Sequence, residues 1–311
     1  MKRHENIRHT YQRIIKFLFN DIWHLDMSEL SIMRARMIKY LKVLIITIKG
    51  FTSDKVSLQA TSLSYFSAMS VVPFVAIMFA ITNGFGAGDS LQHLLYTYFQ
   101  GNEEIISYIL TFADNIIKTS RNGLFGVISF LFLLSTIIWL MLNIEKAFNE
   151  IWKLENGRSF KKRVLYYFTL LLVSPFVIFI FLTLALVYSS ALQSVGLEID
   201  RYVPVTSIFT WITAYFFIVG VFTLMYKFIP NTKVKMSAAF NSALILAFAF
   251  IVVQFFYLET QIMVTGLSAV YGVFAAIPLF MVWMNISWTL ILFGAELSHA
   301  FQNVDKYKYM L

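Results

Sequence analysis

The 311-residue chain is 59% hydrophobic, 17% aromatic and only 14% charged, with a mean hydropathy of +0.70, a balance that excludes an ordinary soluble domain. Its net charge of +8 comes from Lys and Arg that flank apolar runs, so the excess marks membrane topology and contact with anionic headgroups rather than nucleic-acid binding. With no cysteine, disulfides, thiolate metal sites and a cysteine nucleophile are excluded.

Residues 1–55 read as two amphipathic helices forming a cytoplasmic interfacial segment. Ile7, Tyr11, Ile14, Ile15 and Leu18 run beside Arg8, Arg13 and Lys16. A stronger pattern follows: Leu30, Met33, Met37, Tyr40, Leu41, Leu44, Ile45 and Ile48 recur at three- and four-residue steps, with Arg34, Arg36, Lys39 and Lys42 largely on the other side. Such a helix lies at headgroup level with its bases toward phosphates, as an orienting anchor or as a lipid sensor. The first long apolar run comes only after this polar segment, so the first span is expected to serve as its own insertion signal rather than follow a cleavable one.

Six stretches then carry no Asp, Glu, Lys or Arg: Leu63–Thr82, Leu124–Ile144, Val164–Ser190, Val205–Tyr226, Ala238–Leu258 and Val270–Ala295. Each has the length a helix needs to cross the hydrocarbon, so the predicted fold is all-α: a polytopic membrane domain of six transmembrane helices over residues 56–301, with residues 302–311 as a cytoplasmic tail. Of the 25 Lys and Arg, all but Lys118, Arg121 and Arg201 fall on one set of alternate flanks. That bias places both termini in the cytoplasm. The one long external connection, residues 83–123, opens on Gly84, Gly86 and Gly88 and then shows two short amphipathic patterns, one on Leu91, Leu94, Leu95, Tyr98 and Phe99, the other on Ile105, Ile106, Ile109, Leu110, Ile116 and Ile117. Glu103, Glu104 and Asp114 keep it at the surface, as a helical cap in preference to a re-entrant hairpin.

The first span is rich in small and hydroxylated residues, and Ser57, Thr61, Ser64 and Ala68 form one stripe. Such a stripe permits close helix packing. On the functional reading, Gln59, Ser64, Tyr65 and Ser67, with Trp211 and Asn285 from later spans, line a polar cavity. Pro73, Pro175 and Pro278 lie within spans one, three and six and are candidate hinges, because a mid-span proline leaves a carbonyl without its helical donor. Glu145, Lys227 and Glu296 close spans two, four and six at similar depth and form a candidate cytoplasmic gate, in which a carboxylate is expected to meet Lys227. The same pairing would equally serve as a structural lock.

Catalytic signatures are lacking. His4, His9, His24, His93 and His299 show no metal-ligand spacing, no Walker-type phosphate loop is present, and no paired carboxylates share a span. Neither catalytic residues, a metal nor a cofactor is predicted, and the chain is not read as an enzyme.

Four segments, in order, carry a family resemblance: Ala60 to Phe74, Asn143 to Trp152, Tyr226 to Val234, and Tyr271 to Phe301, the last with Tyr271, Gly272, Trp283, Trp288, Gly294, Ala295 and Glu296. Together they resemble the YihY/BrkB family of bacterial inner-membrane proteins. Asn241 and Asn285 depart from the small residue and the aromatic common there. Membership implies six membrane helices and a multi-pass location in the bacterial inner membrane, without a settled activity. An older ribonuclease label on the family finds no support in these residues. The resulting expectation is a transporter-like protein that moves or gates a small polar or amphiphilic solute, with anionic lipid headgroups as partners and room for a homo-oligomer. A structural, envelope-assembly role and a membrane-embedded lipid-handling role are the alternatives.

Overall fold

The computed structural model describes residues 21–25, 30–86, 88–98, 106–108, 110–111, 114–115, 118, 124–173, 175–177, 205–265 and 269–309. Among these there is no strand. After a helical turn at Ile22–His24 come α1 (Ile32–Ser53), α2 (Val56–Gly84), α3 (Gly88–Tyr98), α4 (Leu124–Ile151), α5 (residues 160–173 and 175–177), α6 (Val205–Phe228), α7 (Met236–Thr265) and α8 (Ala269–Asn303), closed by a 3-10 turn at Val304–Tyr309.

Five helices are long and apolar enough to cross a membrane: Val56–Gly84, Leu131–Ile151, Trp211–Phe228, Met236–Gln261 and Pro278–Tyr307. They match five of the six charge-free stretches. The remaining stretch, Val164–Ser190, is described only as far as residue 177, where it is helical in α5. The first N-terminal amphipathic pattern lies outside the described residues, whereas the second forms α1. In the connection between α2 and α4, the first short pattern forms α3, whose Leu91 is buried against Ala76, Met78 and Phe79 of α2. The second is helical at the few residues described.

Helix α7 packs along both α6 and α8, α8 along α2 and α1, and α2 along α4. Apolar side chains on the outer faces, such as Phe216, Phe248, Phe256 and Val282, are exposed, as suits helices solvated by lipid. Several hydroxyls of the spans are satisfied locally. Thr61 donates to Ser57 O at 3.0 Å, Ser64 to Thr61 O at 2.8 Å and Thr223 to Val219 O at 2.7 Å, so these hydroxyls fold back on their own helices. The most deeply buried side chains, among them Phe148, Ile151, Tyr226, Leu246 and Leu292, gather where α4 and α6 end and α8 approaches its C-terminus. That end also holds the loop at residues 152–159, the loop at 229–235 and the α1–α2 turn, and it is called the clasp end below.

Candidate functional site

Two ionic groups form at the clasp end. The first centres on Glu145, which is 1% exposed near the end of α4. Tyr167 of α5 donates its hydroxyl to Glu145 Oε2, the Arg158 backbone N–H donates to Oε1 at 3.1 Å, and Arg163 Nε lies 3.3 Å from Oε2. A buried carboxylate needs such donors to offset its lost hydration. Arg158 reaches further. Its Nη1 donates to Ile229 O at 2.9 Å and its Nη2 to Phe228 O at 2.5 Å and Pro230 O at 3.3 Å, while the guanidinium lies over the Tyr166 ring at 4.6 Å. A cation placed on the last carbonyls of α6 satisfies acceptors that the helix leaves open and complements its dipole. The two loops are joined again by Asn231, whose N–H donates to Asn149 Oδ1 at 2.9 Å and whose side-chain amide donates to Asn156 O at 3.1 Å.

The second group joins α1, α2, α4 and α8. Glu296, 2% exposed, sits against Gly50 of α1, where a Cβ would fall 2.3 Å from Glu296 Oε2. Its carboxyl is within hydrogen-bonding reach of Asp54, in the α1–α2 turn. Asp54 Oδ1 pairs with Lys153 Nζ and accepts from Ser53 Oγ at 2.9 Å. Lys153 adopts a left-handed backbone, φ 56°, just past the end of α4. The largely exposed Lys153 thus pairs with one carboxyl of an adjoining two. Asp54 Oδ2 and Glu296 Oε1 are buried with no other hydrogen-bond partner, and so is Trp152 Nε1. The Trp152 ring meets His299 edge-on at 5.1 Å. Gln59 closes the group by donating to Asp54 O at 3.0 Å and Glu150 Oε2 at 2.5 Å.

Glu145, Glu296 and Lys227 therefore share one end of the bundle, but the expected contact with Lys227 is replaced. Lys227 Nζ donates to Val234 O at 3.2 Å, in the loop that follows α6. Glu145 takes Arg158 and Arg163 instead, and Glu296 meets Asp54, whose cation is Lys153, because the loop at 152–159 and the start of α5 fold back over the end of α4. Asp54, Lys153, Arg158, Arg163 and Tyr167 escaped the sequence reading, in which the basic loop served only as an orientation signal. The signal that could have found them is the density of Arg and Lys directly after a buried Glu.

The residues expected to line a cavity are distributed rather than convergent. Ser67 accepts from Trp288 Nε1 at 2.8 Å, Asn285 Nδ2 donates to Thr61 Oγ1 at 3.0 Å, and Ser64 bonds within its own helix. Tyr65 is 55% exposed, on the outer face that also carries Leu58, Met69 and Val72. Trp211 of α6 packs edge-on against Phe255 of α7 at 6.4 Å. Of the prolines, Pro73 and Pro175 are buried and Pro278 is exposed; Pro73 and Pro278 lie inside helices assigned without a break. Among the described residues, no three His, Asp or Glu side chains cluster to hold a metal ion.

A family model described as "Virulence factor BrkB" matches residues 47–309, which contain both ionic groups. Similar proteins include a UPF0761 membrane protein of Psychrobacter sp. (strain PRwf-1), 29% identical over 261 residues, 81% of this chain and 47% of the relative. Another, from Legionella pneumophila (strain Corby), is 29% identical over 260 residues, 82% of this chain and 60% of the relative. A third, from Haemophilus influenzae (strain 86-028NP), is 26% identical over 269 residues, 83% of this chain and 94% of the relative. The chain thus spans about half to three-fifths of the length of the first two. No solved structure matches. With the family model covering most of its length, the chain belongs to the BrkB family of membrane proteins.

Proposed function

We propose that the protein is transporter-like, moving or gating a small polar or amphiphilic solute across a bacterial inner membrane, and that the clasp end is its cytoplasmic gate in the closed position. The observation that carries this reading is the buried Glu296–Asp54 carboxyl pair, with the largely exposed Lys153 ammonium on Asp54 alone and buried acceptors left without donors. Ionisable groups buried in membrane helices are costly, and they recur where an ion or solute passes or where a two-state element switches. Unsatisfied acceptors are easier to rationalise if another arrangement of the same helices completes their bonding.

The test compares solute and lipid fractions of cells lacking the protein, overproducing it, or carrying Glu296→Gln, by untargeted mass spectrometry. A solute that accumulates inside on deletion, falls on overproduction and fails to fall with normally expressed Glu296→Gln supports gating. Altered lipids beside constant solutes would move the reading to lipid handling.

A structural role is favoured by a different observation, the engagement of Ser67 and Thr61 by Trp288 and Asn285 of α8. On that reading the hydroxyl stripe serves helix packing, and no fraction changes in any strain.

A further inference from the structure

The gate reading uses only the C-terminal end of α1, although that helix is divided into distinct faces along its length. One face is taken by the bundle: Val43, Ile46, Thr47 and Gly50 are buried. It is tethered by Tyr40 edge-on to Phe301 at 5.8 Å, Phe51 against Phe293 at 5.8 Å, and Lys39 to Asp305 at 3.6 Å. A second face is an apolar ridge that no described residue covers. Met33 is 76% exposed, Met37 65%, Leu44 46% and Ile48 55%, and their steps of four, seven and four residues set them in one line roughly 22 Å long. An unpartnered ridge of that size is not left to water.

The cations of α1 divide in the same way. Lys39 is held by Asp305 and Lys42 lies over the Trp23 ring at 5.7 Å, so both are engaged within the protein. Arg34 and Arg36 are exposed and have no partner among the described residues. By helical geometry they stand about 80° to either side of the apolar ridge. That is the arrangement in which arginines reach up to headgroups while the ridge between them enters the acyl region.

We propose that α1 is an anionic-phospholipid site: it lies in the headgroup layer of the leaflet at the clasp end, with Met33, Met37, Leu44 and Ile48 among the acyl chains and Arg34 and Arg36 on lipid phosphates. Charge selects this occupant. A second copy docked in parallel through the ridge would bring the arginine pairs together, and an antiparallel one would offer them no anion, since α1 carries no Asp or Glu, whereas an anionic leaflet neutralises them. A spanning position is ruled out by Arg34, Arg36, Lys39, Lys42 and Lys49 along the same helix.

The chain has no cysteine, so a single nitroxide label can be placed without removing any native residue. Met37→Cys is labelled in the full chain and reconstituted in phosphatidylcholine vesicles with phosphatidylglycerol, beside Ser31→Cys as a polar reference. The label at position 37 is expected to relax with oxygen and to be shielded from a water-soluble nickel chelate, the reverse of position 31. Access to the chelate would place the ridge in water, and shielding from both reagents would place it against protein, a second copy included; either overturns the proposal. Native mass spectrometry of the purified chain then compares bound phosphatidylglycerol with bound phosphatidylcholine. Arg34→Gln with Arg36→Gln, both surface changes, is expected to lower the anionic preference about 10- to 30-fold. An unchanged ratio would overturn the headgroup assignment even if the ridge proved to be in lipid.

Discussion

Trp288 donates its indole N–H to Ser67 Oγ at 2.8 Å, with both side chains buried between α8 and α2. A serine hydroxyl in the middle of an apolar helix is thereby committed to a neighbouring helix rather than to an aqueous lumen. Hydrogen bonds between membrane helices contribute modestly, since unpaired partners find alternatives in the unfolded state. A double-mutant cycle with Ser67→Ala and Trp288→Phe should give a coupling of about 0.5–1.5 kcal/mol by equilibrium unfolding in mixed micelles. Strict additivity of the two substitutions would show that the bond is not made.

Arg158 rather than Lys227 should be the cation whose loss opens the clasp end. It serves Glu145 and three carbonyls at the end of α6 at once, and only a planar guanidinium presents donors in that fork. Arg158→Ala should cost about 2–4 kcal/mol, with Arg158→Lys recovering less than half, because it removes one of two guanidiniums beside a buried carboxylate and leaves three carbonyls unserved. Lys227→Ala removes one bond to Val234 O and should cost about 1 kcal/mol or less. Thermal unfolding of the purified variants ranks them, and equal losses for the two alanine substitutions would overturn the assignment.

Tyr226 supplies a sharper test of packing. Its hydroxyl is fully buried without a hydrogen-bond partner, and it fills the space beside Gly294, where a Cβ would lie 2.0 Å from Tyr226 Oη and 2.9 Å from Leu246 Cγ. Tyr226→Phe deletes an unsatisfied polar atom and should be neutral or stabilising by up to about 1 kcal/mol. Gly294→Ala overpacks and should lose about 2–3 kcal/mol. The pair should lose less than Gly294→Ala alone, and melting temperatures of the three variants decide it. The rescue is partial, because Tyr226 Cζ would also stand only 2.6 Å away.

How far these relationships were legible in the sequence depends on the distance over which each is decided. Five spanning helices follow from runs without charge, because the hydrocarbon forces every backbone group to be satisfied within its own helix. The apolar pattern of α1 was legible for the same local reason, but not its division into faces. Ile45 shares the alternation of Met37 and Leu44, yet it packs against the buried core whereas they are exposed. Only the position of α8 separates them. The ionic partners were the least legible. Glu145 and Lys227 were paired by depth alone, and depth says nothing of a loop that turns back with Arg158 near its end. Glu296 meets Asp54 across nearly the whole chain, through a turn too short to mark itself by composition.

The contact between Gly50 and Glu296 carries the last prediction. Position 50 is glycine where the α8 carboxyl occupies the space of its missing side chain, with Glu296 Oε2 2.3 Å and Glu296 Cδ 2.9 Å from an added Cβ. A methyl group there must displace the carboxyl, and the nearest space is shared with Asp54 and Lys153. Gly50→Ala should therefore cost about 1–3 kcal/mol and perturb the acid group as well as the α1–α8 packing. Glu296→Asp draws the carboxyl back toward α8 and should be destabilising by itself, because it loosens the contact with Asp54. Combined, the two changes relieve each other: the shorter acid makes room for the methyl group. The expected signature is a favourable coupling of about 0.5–2 kcal/mol in a double-mutant cycle read by thermal unfolding. If the costs simply add, Glu296 does not fill the Gly50 niche, and the gate proposed at this end loses its link to α1.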